Sequence, residues 1–321
     1  MERREIKTEH LDAEKFIREK IEEISSRVGN DLAITALSGG VDSSAVTVLG
    51  HRALGDRLLT CFIDNGLMRQ DEPQKIASIF NGLGIPVKII DAGKEFFDAL
   101  KGITDPEEKR EAVTQTFYKK VFGRLVVESG AKHLLQGTIL TDIDETVAGV
   151  KRQHNVFEQL GIDPQTAFGY QIIEPLRQIR KDGVRKVAQA LGLPGSIYNR
   201  MPFPGPALAA RVIGEASPER IELVRKATAV TEEELAGTEA FQYMAILHQD
   251  RVTGMRNGKR EFGMQIEIRC WKSIDARTAT PVKLPYEILE KLAKRITKEI
   301  PGVVSVTYSI TPKPPSTMEA V

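Results

Sequence analysis

The chain carries two cysteines and one tryptophan in 321 residues, and nowhere an apolar run of bilayer-spanning length. Two cysteines cannot build a disulfide framework or a cysteine-rich metal site. Cys61 and Cys270 both lie in strand-like runs, where they are expected to pack as small buried hydrophobes. Without about 20 consecutive apolar residues there is no candidate spanning helix. The start, Met1-Glu2-Arg3-Arg4-Glu5, is charged and has no apolar core after it, so it does not read as a signal peptide. Neither charge dominates: 45 Lys and Arg face 44 Asp and Glu, a net +1. That balance gives no overall electrostatic case for nucleic acid or an acidic membrane surface. What remains, 41% hydrophobic and 28% charged, is the composition of a soluble globular protein, expected in the cytoplasm and long enough for two domains.

The most informative stretch that is present is Ser38-Gly39-Gly40-Val41-Asp42-Ser43-Ser44. It follows the apolar run Leu32–Leu37 and precedes a helix-like segment. A glycine pair lets backbone N–H groups approach an anion closely, and a helix start adds unsatisfied N–H groups with a favourable dipole. Ser38, Ser43 and Ser44 bring hydroxyls; Asp42 suits such a place only if it orients the loop or helps hold a metal ion. No lysine completes a Walker A pattern, and the spacing of a dinucleotide-binding Gly-x-Gly-x-x-Gly is missing. A hydroxyl-rich loop suits a pyrophosphate that leaves whole, with chemistry at the α-phosphorus. The competing reading is an ordinary strand–helix turn with a Ser or Asp cap. The string resembles the PP-loop of the N-type ATP pyrophosphatases.

Along the chain, residues 9–28 read as an amphipathic helix with Leu11, Phe16, Ile17, Ile21 and Ile24 on one side. Strands are expected at 32–37, 58–64, 87–90 and 132–136, with a helix over 72–83, and Ile172–Leu176 leads to a helix over 181–191. This alternation predicts a doubly wound parallel sheet with ligands beyond the carboxyl ends of its strands. The cradle, Asp64 and Asp91 fall at that edge. Asp105-Pro106-Glu107-Glu108 starts a helix expected to reach Ser129. Arg110 lies on its apolar stripe, and either pairs with a buried carboxylate or points into a cleft. Residues 138–170 show little periodicity but carry Asp142, Asp144, Glu145, Lys151, Arg152 and His154: a closing lid, or a solvated insertion. Met201-Pro202-Phe203-Pro204-Gly205-Pro206 reads as a rigid linker, so domains are expected at 1–200 and 201–321. The second, smaller domain reads as α+β, with strands at 207–213, 240–247, 264–270 and 303–310 and helices at 218–236 and 285–299. In Val304–Ile310 the apolar residues alternate, which predicts one buried face.

Several separated strings, in order, resemble the ATP pyrophosphatase part of the GMP synthases. They are Phe62–Arg69, Asp105–Arg110, Gln136-Gly137-Thr138-Ile139, His154-Asn155-Val156, Pro202–Pro206 and Lys313-Pro314-Pro315-Ser316-Thr317-Met318-Glu319. The resemblance covers about residues 10 to 319. It implies a C–N ligase that adenylylates XMP with ATP and Mg²⁺, releases pyrophosphate, and makes GMP and AMP with ammonia. By position, Ser38, Gly39, Gly40, Val41, Asp42, Ser43 and Ser44 match the ATP-binding loop. Asp42 and Lys181 are the catalytic candidates, and Asp42 is the candidate Mg²⁺ ligand. Arg110, Lys313 and Glu319 match XMP contacts, with the prolines expected to hold the tail extended. Lys181-Asp182 resembles a lysine–aspartate pair near the ATP phosphates. No glutaminase half is present, so the resemblance is to the split form, in which a separate glutamine amidotransferase subunit supplies ammonia. It also implies a homodimer through the second domain.

The chain departs from the family pattern at Leu140-Thr141-Asp142, at Arg152-Gln153 before His154, at Met201, at Gly183, at Ala207 and at Ala320-Val321. The departures cluster on the lid and acceptor side while the cradle is intact. Two other readings stay open on the sequence: a PP-loop enzyme with another acceptor, such as a tRNA base, and a nucleotide-binding paralogue without turnover.

Overall fold

A computed structural model describes residues 5–147, 170–274 and 276–320. The chain forms two compact units. One comprises Met1–Asp64, Pro73–Asp91 and Phe117–Arg200; the other comprises Asn65–Glu72, Ala92–Thr116 and Met201–Val321. The second unit thus takes in two early segments, so a single cut at residue 200 does not describe the division.

The first unit holds five parallel strands: β1 (Ala33–Ala36), β2 (Leu58–Asp64), β3 (Lys88–Asp91), β4 (His133–Leu135) and β5 (Gln171–Ile173). Their order is β3-β2-β1-β4-β5. β1 and β4 are apolar and almost wholly buried, while β3 and β5 are partly exposed edges. Helices α1 (Ala13–Val28) and α2 (Val41–Leu54) pack on one another, and α2 also packs on β1, β2 and β4. In α1 the expected residues Phe16, Ile17 and Ile24 are buried, and Asp12 caps the start by accepting from Lys15 N at 3.0 Å. Cys61 in β2 is buried and free, as expected. The chain runs from β1 outward to β3, then returns to the other side of β1 with β4. The crevice at this reversal, beyond the carboxyl ends of β1 and β4, is where such sheets hold ligands.

The helix expected from Asp105 to Ser129 is interrupted. Asp105 caps it as predicted, accepting from Glu107 N and Glu108 N at 2.9 and 3.0 Å. The α-helix ends at Gln115, however, and a π-helical stretch, Thr116–Phe122, precedes the α-helix Gly123–Ser129. The extra residue per turn rotates the apolar stripe, a change that a strict 3.6-residue reading misses. Of the candidate lid, Leu140–Val147 is helical and residues 148–169, including Lys151, Arg152, Gln153, His154 and Asn155, lie outside the described residues.

The second unit contains a mixed sheet of β6 (Gln242–Arg256), β7 (Lys259–Lys272), β8 (Thr280–Pro281) and β9 (Val303–Tyr308). β7 pairs antiparallel with β6 and β8 and parallel with β9. β6 and β7 form one long hairpin, twice the length expected from 240–247 and 264–270. Its turn is Asn257-Gly258, both with positive φ (50° and 74°), the two-residue signature of a tight hairpin. Residues 207–213 are not a strand. Ala207–Arg211 is a 3₁₀ helix, and only Val212 bridges to Leu247. Ala207 adopts φ 53°, which no strand residue can. β9 buries Val303 rather than a whole alternating face, and Ile310, past its end, is 79% exposed.

Candidate active site

Backbone geometry makes the cradle. Gly39 has φ +75°, and a Cβ there would lie 2.8 Å from Ile76 Cδ1 and from Arg200 Nη1. Gly40 is the N-cap of α2 and makes no side-chain cap bond, so the first-turn N–H groups of Val41, Asp42 and Ser43 have no intrahelical acceptor. The loop is stitched by its own hydroxyls. Ser43 Oγ accepts from Ser38 N at 3.1 Å, donates to Gly40 O at 3.1 Å and lies 2.9 Å from Ser38 Oγ. Gly40 N donates to Ser38 Oγ at 3.3 Å, and Arg200 Nη1 donates to the Gly39 carbonyl at 3.1 Å. Ser38 and Ser43 therefore shape the loop, and Ser44 is buried inside α2. Gly137, just past β4, supports the cradle from the other side of the reversal. A Cβ at 137 would sit 3.0 Å from Asp42 C and from Ser43 N.

Asp42 and Lys181 meet here from sites 139 residues apart. Lys181 Nζ donates to Asp42 Oδ2 at 2.6 Å. Lys181 opens the helix Lys181–Ala190, and Asp42 lies in the first turn of α2. Two helix N-termini and an ammonium group thus gather positive potential at one place. Asp42 Oδ1 is buried and makes no hydrogen bond. The neighbouring Asp182 does not join them. Its carboxyl is held below the usual range, first by a bond from the Thr8 side chain, and so ties the helix to the N-terminal segment. Gly183 is forced by the same packing: a Cβ there would lie 3.2 Å from Ile179 Cβ and 3.4 Å from Thr8 Oγ1. Asp64 and Asp91 end β2 and β3 in register with one another.

Arg110, Lys313 and Glu319 lie in the second unit. Arg110, partly exposed on its helix, has Nε 3.6 Å from the exposed Glu107. Lys313 Nζ donates to Ala276 O at 2.7 Å. The tail after it turns rather than running extended, because Ser316 N finds the Pro312 carbonyl at 3.1 Å. Glu319 Oε1 accepts from Gln242 Nε2 at 2.8 Å, and Oε2 lies 3.5 Å from Arg211 Nε. Arg211 is 1% exposed, and its guanidinium stands 4.8 Å from the centre of the Phe203 ring. The other guanidinium on that ring is Arg69, at 3.9 Å, which pairs with Glu232 at 2.6 Å. Met318 anchors the tail in an apolar cluster with Met244, Ile246, Trp271 and Ala279. On β7, Arg269 Nε donates to Glu267 Oε1 at 2.7 Å, and Glu267 Oε2 lies 2.8 Å from His248 Nε2. Burial pushes the Glu267 carboxyl up, but the bonds from His248 and Arg269 outweigh it and leave it at about 2.

Sequence reasoning does not single out Gly137 as a packing site, nor Arg200, Arg211, Gln242 and Arg269. Arg200 and Arg211 flank the Pro-Phe-Pro-Gly-Pro string, a signal that could draw attention to them. Gln242 and Arg269 carry none, since each is one polar residue on a strand.

The chain matches the family model described as GMP synthase C terminal domain over residues 229–320, and that described as NAD synthase over residues 10–133. It is 50% identical over 309 residues to the glutamine-hydrolyzing GMP synthase B-subunit of Archaeoglobus fulgidus, covering 96% of this chain and 99% of that one. It is 44% identical over 320 residues to the protein of that name from Methanopyrus kandleri (96% and 99% covered), and 47% over 309 residues to that from Pyrococcus furiosus (95% and 97%). Among solved structures, an NH3-dependent NAD synthetase from Campylobacter jejuni aligns over 59% of this chain and 78% of that chain, at 17% identity and a TM-score of 0.46.

Proposed function

This chain belongs to the GMP synthase B-subunit family, and from that premise we propose how its residues divide the reaction. The chain is the synthetase part of the enzyme, a C–N ligase that makes GMP from XMP with ATP and ammonia. The C2 oxygen of XMP attacks the α-phosphorus of ATP and pyrophosphate leaves; ammonia then attacks C2 and AMP leaves. The protein needs no nucleophile of its own. Its task is to hold two anionic nucleotides, stabilise the charge that develops on pyrophosphate, and exclude water.

The observation that carries the assignment is the Asp42–Lys181 pair at two converging helix starts. The first-turn N–H groups of Val41, Asp42 and Ser43 bind the departing phosphates, and Lys181 stabilises their growing charge. Asp42 holds Lys181 with one oxygen. The other, buried and unbonded, suits a hard cation that takes one or two protein carboxylates and completes its shell with phosphate and water. Mg²⁺ fits that donor set, and when bound it supplies neutralisation of pyrophosphate charge. Arg110, Lys313 and Glu319 contact XMP, and a separate glutaminase subunit delivers ammonia. The exposed Met255, Phe262, Tyr286 and Ile310 of the second unit fit a homodimer contact, which sedimentation would reveal as twice the chain mass. The reaction, drawing on ATP and soluble nucleotides, fits the cytoplasm; no helix among the described residues is long and apolar enough to cross a membrane.

The test supplies ATP, Mg²⁺, XMP and ammonium at alkaline pH and measures GMP, AMP and pyrophosphate. All three should form in equal amounts. AMP formed only with another acceptor, or nucleotide binding without turnover, would refute the assignment.

A further inference from the structure

The C-terminal tail is held by Met318, by Thr317 Oγ1 donating to Glu319 O at 2.6 Å, and by one side chain that reaches three successive backbone carbonyls. Arg269 Nη1 faces three consecutive carbonyls, Thr317 O at 2.9 Å, Met318 O at 3.3 Å and Glu319 O at 3.4 Å. Its Nε is committed to Glu267, two residues earlier on the same face of β7. Glu267 is in turn held from β6 by His248, beside the irregularity that shifts the β6–β7 register between Leu247 and Arg251. Both Arg269 and Glu267 side chains are largely buried. A guanidinium fork fixed at Nε has its remaining donors fixed in direction too, and a lysine cannot reproduce that. The carbonyls it grips are those of the residues that present Glu319, whose carboxylate is steadied separately by Gln242 and Arg211.

We propose that Arg269, oriented by Glu267, is a positioning residue for XMP recognition: it sets the backbone of residues 317–319 so that Glu319 meets the acceptor. This rests on the reading that Glu319 contacts XMP. A tail near a chain end otherwise frays, and Met318 burial alone fixes its depth without fixing the rotation of the following residue.

The experiment compares Arg269→Lys, Glu319→Gln and the double variant in the full chain. It measures KM for XMP and for ATP, kcat, and amide exchange at 317–320. Arg269→Lys should raise KM for XMP about tenfold and leave KM for ATP within about twofold. Exchange at 317–320 should quicken while β7 stays protected. In the Glu319→Gln background the same change should add little, because both act through one contact. Equal rises in both KM values, or effects that multiply in the double variant, overturn the proposal. So does Glu319→Gln raising KM for XMP while Arg269→Lys does not. Glu319→Gln without effect on XMP overturns instead the acceptor role of the tail. Should Arg269→Lys fail to fold, Glu267→Gln removes the orienting charge and should shift KM for XMP the same way by a smaller factor.

Discussion

Replacing Gly137 with alanine should damage ATP use although no chemical group is lost. The new Cβ would lie 3.0 Å from Asp42 C, 3.0 Å from Ser43 N and 3.3 Å from Asp42 Cβ, where ordinary contact begins at 3.4 Å. Both walls are backbone, the segment leaving β4 and the first turn of α2, so no rotamer change relieves the clash. The cradle must retreat by roughly 0.4 Å or more, and overpacking of this kind costs about 1–3 kcal/mol in stability. The retreat also moves the first-turn N–H groups and Asp42 away from the phosphates. Displacements on this scale at a reacting centre cost roughly ten- to a hundredfold in turnover. Steady-state KM for ATP and kcat for GMP formation, with a thermal melt, measure both effects. Gly82→Ala is the control. Gly82 is helical, and a Cβ added there meets nothing within 4 Å, so that change should stabilise by about 0.5–1 kcal/mol and leave activity alone. Wild-type KM for ATP and wild-type kcat in Gly137→Ala would show that the close approach does not shape the cradle.

Asp42→Asn should cut GMP formation by at least about a hundredfold, since it leaves Lys181 without its charged partner and replaces the carboxylate oxygen proposed to hold a cation; Lys313→Ala should instead raise KM for XMP and spare ATP binding, which calorimetric titration with an ATP analogue checks. Lys109, 1% exposed and donating to Val212 O at 2.7 Å, is pushed down to about 8, first by burial and then by Arg220, against the pull of Asp105. The folded chain binds this proton less tightly than the unfolded one, so the group opposes folding below pH 8 and its penalty fades as pH rises to about 10.5. The stability of wild type relative to Lys109→Met should therefore improve by about 3 kcal/mol over that window in denaturant melts, and parallel curves would contradict it. Ala207→Gly should change stability by less than about 0.5 kcal/mol, because relief of the left-handed backbone (φ 53°) offsets the usual glycine penalty of about 1 kcal/mol; a full penalty in a urea melt would refute this.

Local chemistry makes much of the fold legible. Continuous apolar runs mark β1 and β2, and Asp105 marks a helix start and caps it; the caps at Asp12 and Ser217 emerge only in the structure. The misreadings fall where tertiary packing overrides period. Ala207–Arg211 is apolar enough to read as a strand, but its alanines and leucine favour helix, and the preceding Pro206 and the positive φ of Ala207 start a 3₁₀ turn. The hairpin between 248 and 263 escapes a hydrophobic reading because its residues are polar and its tip lies in solvent. Only the Asn257-Gly258 pair announces it. Sequence adjacency sets Lys181 beside Asp182, but Asp182 turns to Thr8 while Lys181 reaches Asp42 across the sheet edge.

By itself the sequence determined the kind of chemistry. A glycine pair, hydroxyls and a helix start without a lysine suit an anion such as a leaving pyrophosphate, and that is a matter of local backbone freedom. What it could not determine is which distant groups share the space. Strand order alone brings Gly137 against the turn after β1, because β4 lies beside β1 despite an intervening hundred-residue excursion. The same packing sets Lys181 on Asp42, and the pairing of β6 with β7 sets His248 on Glu267, and so Arg269 on the tail carbonyls. Contacts of that kind depend on the whole arrangement of layers, since no residue carries in its neighbours any record of the strand that will stand beside it.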